Sequence, residues 1–83
     1  MPLTLAQRIW DWLPARADRR RVTDPPTIAA ALAVPVHDVM TTLESMERAG
    51  HAIRDRRTGR RAHHWHRGVP YPAETAPPAE GLW

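Results

Sequence analysis

The chain has no cysteine, no lysine and no apolar run long enough to cross a bilayer. Without cysteine there is no disulfide framework and no thiolate metal site, so packing alone must hold the fold, and a reducing, intracellular setting fits. The opening "MPLTLAQRIW" lacks the charged start and continuous apolar stretch of a secretion signal, so the expectation is a cytoplasmic protein with no membrane partner. Enzyme classes are short of their parts as well. There is no glycine-rich nucleotide loop, no cysteine nucleophile, and no Ser, His and Asp set at a recognisable spacing. A chain of 83 residues makes one small domain with one core and leaves little room for a concave pocket. The expectation is a protein that is not an enzyme and uses no cofactor.

What the chain does have is arginine. All 12 basic residues are arginine, set against 9 carboxylates for a formal net charge of +3. An arginine-biased codon usage accounts for the missing lysine but not for the clustering. One cluster is Arg16, Arg19, Arg20 and Arg21, and the other is Arg54, Arg56, Arg57, Arg60 and Arg61, with a nearly neutral stretch between them. The planar guanidinium grips phosphate through two parallel hydrogen bonds, which an ammonium cannot do.

Hydrophobic spacing orders the rest. In "LTLAQRIWDWLP", Thr4 and Gln7 form a capping-box pattern, Leu5, Ile9 and Leu13 make an apolar stripe flanked by Ala6 and Trp12, and Pro14 stops the helix. Trp10 falls off that stripe and reads as incidental packing. "ARADRRRVT" is a basic link in which Val22 and Thr23 suggest a short strand. "DPPTIAAALAV" offers Asp24 as a cap, prolines in a first turn, and Ile28, Ala31 and Leu32 on one face. Pro35 breaks that helix, and "VHDVMTTLESMERAG" places Val36, Val39, Met40, Leu43 and Met46 on one side before stopping at Gly50. "HAIRDRR" and "RRAHHWH" then flank Thr58-Gly59 as a β-hairpin, with Trp65 sealing the sheet against the helices. On that strand His64 and His66 share a face, but two imidazoles are an incomplete metal site, so none is expected. Residues 68–83 are rich in proline and small side chains and read as an extended or disordered tail after a domain of residues 1–67.

The order helix, basic link, short helix, tight turn, longer helix and hairpin, carried by "TIAAALAVPVHDVMTTLESMERAGHAIRDRRTGRRAHHW", resembles the winged helix-turn-helix superfamily of bacterial and phage DNA-binding regulators. The resemblance implies an α+β fold of three helices followed by a two-stranded β-hairpin wing, and a transcriptional regulator or architectural factor on double-stranded DNA. The chain departs from the pattern in two ways. Ala33 and Pro35 stand where glycine and a capping serine or threonine are usual, and the third helix carries Asp38, Glu44 and Glu47 against Arg48 and His37.

The resemblance assigns the third helix to the major groove. At about 100° per residue, His37, Thr41, Ser45 and Arg48 turn outward when Val39, Leu43 and Met46 face the core, with Asp38 and Thr42 on a flank and Val36 at the leading end. Small donors and acceptors of this kind suit base edges, and a threonine methyl suits thymine. The wing residues Arg54, Arg56, Arg57, Thr58, Gly59, Arg60 and Arg61 would meet backbone or the minor groove, and Arg19, Arg20 and Arg21 flanking phosphates. The same face is also what an ordinary solvated helix presents. The expected partner is double-stranded DNA, bound by a homodimer or by co-operating monomers. The alternative is a protein-interaction module that recruits a protein partner through Trp10, the acidic helix face or the "PPAEGLW" tail.

Overall fold

A computed structural model describes residues 3–18, 20–55 and 64–72. The elements in chain order are α1 (Leu5–Trp12), α2 (Pro25–Leu32), α3 (Val36–Ala49), β1 (Ala52–Asp55) and β2 (His64–Arg67). Together they form a small α+β fold of three helices and a two-stranded antiparallel hairpin.

The helix ends follow from local chemistry. The Thr4 hydroxyl accepts from the Gln7 amide at 3.2 Å, and the Gln7 side chain accepts from the Thr4 amide at the same distance, a complete capping box. Leu13 is extended because Pro14 follows it, which ends α1. Asp24 caps α2 by accepting from the Thr27 amide at 3.1 Å, with Pro25 and Pro26 at positions that have no partner to lose. The turn out of α2 puts Ala33 in the left-handed region (φ 58°, ψ 46°), where a Cβ is costly and glycine is the usual occupant. Pro35 heads α3 without a side-chain cap, and Gly50 closes it at φ 87°. The axes of α2 and α3 turn by 113° across this connection.

The core joins Ile9 and Leu13, Ile28 and Ala29, Val39, Leu43 and Met46, then Ala52 and Trp65 from the hairpin. Trp65 seals the sheet against the helices as its bulk implies, at 4 % exposure. Three sequence expectations are corrected. Val36 and Met40 are 39 % and 47 % exposed, because the buried stripe of α3 narrows to residues three and four apart and both lie to one side of it. Ala29 replaces Ala31 beside Ile28, and Ala31 faces solvent. Val22 and Thr23 form no strand. Thr23 is buried instead and uses its hydroxyl, in place of a ladder carbonyl, to accept from the Trp65 amide at 2.9 Å.

In the hairpin Ala52 pairs with Arg67, Ile53 with His66, Arg54 with Trp65 and Asp55 with His64. The intervening residues 56–63, with Thr58 and Gly59, lie outside the described residues. Past β2, residues 68–72 have no regular secondary structure yet are fastened to the end of α3. The Gly68 amide donates to His51 O at 2.9 Å, and the Val69 amide donates to Gly50 O at 2.8 Å. His51 Nδ1–H donates to Val69 O at 2.6 Å, and its ring stacks on Tyr71 with centroids 3.8 Å apart. A Cβ at position 68 would lie 2.2 Å from Gly50 O, so only glycine permits this approach. Burial pushes the Tyr71 phenol above its ordinary pKa. The tail beyond Pro72 lies outside the described residues. Among the described residues, no single helix is long and apolar enough to cross a membrane.

Candidate nucleic-acid interface

The residues singled out on α3 stand mostly on its open side. His37, Asp38, Thr41, Ser45 and Arg48 are exposed, Thr42 is half-buried at the flank, and Val36 lies at the leading end. Met40 joins them as an exposed apolar group. Asp38 in the first turn and Arg48 in the last both suit the helix dipole, which favours each by about 0.3–1 kcal/mol. Asp38 therefore has a structural reason to be in a helix that was expected to approach phosphate.

The arginines divide differently from the sequence clusters. Arg16 and Arg20 are exposed on the link, and Arg19 lies outside the described residues. Arg21, expected to hold phosphate, is turned inward. Its guanidinium sits 4.4 Å from the centre of the Trp12 ring and donates to the Trp12 carbonyl. Arg54, expected on the wing, is likewise occupied. It donates to both carboxylate oxygens of Glu47, at 3.0 and 3.3 Å, and lies 4.8 Å from the Trp65 ring centre, with 24 % of its side chain exposed. Arg56, Arg57, Thr58, Gly59, Arg60 and Arg61 lie outside the described residues.

Two arginines that sequence reasoning passed over, Arg67 and Arg8, are occupied in the same way. Arg67 donates to Trp10 O at 2.8 Å and to Asp11 O at 2.7 Å, and it covers the Trp10 ring at 4.4 Å. The Leu13 amide donates to Ile9 O at 2.9 Å, and Arg21 takes Trp12 O. All four carbonyls that a helix leaves unpaired at its C-terminus are thus satisfied in α1, two by Arg67, one by Arg21 and one by backbone. Arg8 does the same for the end of α2, donating to Leu32 O at 2.9 Å. The isolated position of Trp10 is also explained, since it offers Arg67 a ring face. Among the described residues every tryptophan, Trp10, Trp12 and Trp65, carries an arginine in this way. No short motif announces such pairs, because their partners lie between nine and fifty-seven residues apart.

The charge balance follows. The described residues hold seven arginines (Arg8, Arg16, Arg20, Arg21, Arg48, Arg54, Arg67) and seven carboxylates (Asp11, Asp18, Asp24, Asp38, Glu44, Glu47, Asp55), so the described body is neutral. The positive excess belongs to Arg19 and to the four arginines between the strands, and it is partly offset by Glu74 and Glu80. Among the described residues no cluster of three or more His, Asp or Glu is placed to hold a metal ion, and His64 and His66 are both half-buried. No protein-family model, curated protein or solved structure matches the chain.

Proposed function

We propose that the chain is a small winged-helix protein that binds double-stranded DNA, with α3 in the major groove and the segment between β1 and β2 as an arginine-rich wing on backbone or minor groove. The observation that carries this reading is the division of charge: a neutral body whose inner arginines are occupied, beside a hairpin whose connecting residues hold four arginines and no carboxylate. Like charges so close in sequence repel one another and are stabilised by an anionic partner. The angle of 113° between α2 and α3 supports the same reading, since helix-turn-helix pairs cross at about 90–120°. So does the open face of α3, where His37, Thr41, Ser45 and Arg48 suit base edges and the exposed Val36 and Met40 suit thymine methyls.

The wing supplies affinity and α3 supplies discrimination. Each phosphate neutralised by an arginine releases counterions, which makes such binding strongly dependent on salt. Arg16 and Arg20 add flanking phosphate contacts, while Arg21 and Arg54 serve the fold and leave the interface. The test is fluorescence anisotropy of a labelled mixed-sequence duplex, titrated with the protein at low and moderate salt. Binding that weakens steeply as salt rises supports the reading. Absence of binding at low salt overturns it and turns attention to a protein partner.

A further inference from the structure

Along α1, Gln7, Trp10 and Asp11 lie one turn apart or side by side, with Leu3 just before the helix. Opposite them run Pro70 and Tyr71, and these six residues line a cleft of about 190 Å³. Its walls are fixed. Tyr71 is stacked on His51, the Val69 amide and carbonyl are both bonded, and Trp10 is held under Arg67. Its surface is unfinished. Leu3, which lines it, is 53 % exposed, and Val69 beside Pro70 is 63 % exposed.

We infer that this cleft is the seat of the chain's own segment Ala73–Trp83, with Leu82 and Trp83 entering between α1 and Tyr71. The segment leaves the described body at Pro72, directly after a residue that lines the cleft, so it starts at the rim. Its eleven residues reach about 36 Å when extended, well beyond what a return to the cleft needs. Its composition names the part that binds. Alanine, proline, glutamate, threonine and glycine make up the first nine residues, and Leu82 and Trp83 are the large apolar pair that follows Gly81. Pro77-Pro78 stiffens the outward run, and Gly81 allows the chain to turn its last two side chains inward. The short tether holds the segment at a high effective concentration, which favours it over a second copy or an unrelated peptide at ordinary protein concentration.

The test is solution NMR of the full chain beside the full-length double variant Leu82→Ser/Trp83→Ser. The wild type is expected to show nuclear Overhauser contacts from the Trp83 ring to Leu3 and Tyr71, unchanged on dilution. The variant is expected to lose them and to shift the Trp10 indole and Tyr71 resonances while those of Val39, Leu43 and Met46 stay in place. Identical Trp10 and Tyr71 signals in both chains would overturn the inference. Contacts that appear only between differently labelled molecules would overturn it in favour of a second copy. Neither outcome bears on DNA binding, which is read separately by anisotropy.

Discussion

Arginines in two parts of this small protein do opposite work. In the body, Arg8, Arg21, Arg54 and Arg67 spend their donors on helix-end carbonyls and a glutamate, and three of them lie over tryptophan rings. Between β1 and β2, four arginines follow one another with no carboxylate among them. One side chain type therefore serves as an internal clamp in the body, and the same type, gathered between the strands, carries the positive excess on which the proposed wing rests. What separates the roles is the supply of acceptors. Carbonyls left open at the end of α1 and the Glu47 carboxylate sit within reach of the first group, whereas the stretch between the strands holds no carboxylate of its own.

Removing that positive excess is the strongest way to break the comparison. Replacing Arg56, Arg57, Arg60 and Arg61 by alanine should weaken duplex binding about 100- to 1000-fold at moderate salt and flatten the salt dependence by roughly three to four logarithmic units per decade, the share of four phosphate contacts. The urea midpoint should stay near that of the parent, since the described core is built from residues of the helices with Leu13, Ala52 and Trp65. An unchanged salt slope in the anisotropy titration would sink the wing assignment.

The second break is at a clamp. Arg67→Ala strips two carbonyls at the end of α1 and uncovers Trp10, and it should cost about 2 kcal/mol of stability, in the range for hydrogen bonds to charged groups plus a stacked cation. Arg67→Lys should recover less than half of that, because an ammonium cannot span both carbonyls and lie flat on the ring. Urea unfolding at neutral pH measures both, and the duplex affinity of the folded variants should match the parent.

Much of the scaffold was legible in the residues, because its signals are local. The capping box at Thr4, the Asp24 cap, the stops at Pro14 and Gly50 and the hairpin with Trp65 inward all depend on neighbours a few positions away. What escaped depends on partners distant in sequence. Val22-Thr23 read as a strand by composition, whereas one hydroxyl does the strand's work against Trp65. Met40 read as core by its apolar character, whereas the buried stripe passes beside it. Arg21 and Arg54 read as phosphate contacts by clustering, whereas Trp12 and Glu47 hold them. Charge in sequence shows how much is present, and the fold decides how much of it is left over.

Ala33 sharpens the body side of the comparison, since it is a cost that the clamps carry. Ala33→Gly relieves a left-handed alanine between α2 and α3 and should raise stability by about 1 kcal/mol. A higher urea midpoint with unchanged slope is the expected reading, and a lower midpoint would mean that the turn relies on the alanine methyl.

The smallest expected effect falls on the residue that stands between the two regions. Arg54 lies in β1, two positions before the charged segment, yet is held by Glu47 in a pair that is only partly buried, with 24 % and 32 % of the two side chains exposed. Solvent screens such a pair, so a double-mutant cycle with Glu47→Gln and Arg54→Ala should give a coupling of about 0.5 kcal/mol. The same Glu47→Gln change releases Arg54 and removes a negative charge from α3, and for both reasons it should strengthen duplex binding by roughly threefold, within the range of one weakly screened charge contact. Arg54→Ala, by contrast, should leave affinity nearly unchanged, because in the parent this arginine is already spent. If Arg54→Ala weakens binding as much as the loss of a wing arginine does, then Glu47 yields its partner to phosphate on contact, and the border between clamp and wing moves inward by one arginine, from Arg56 to Arg54.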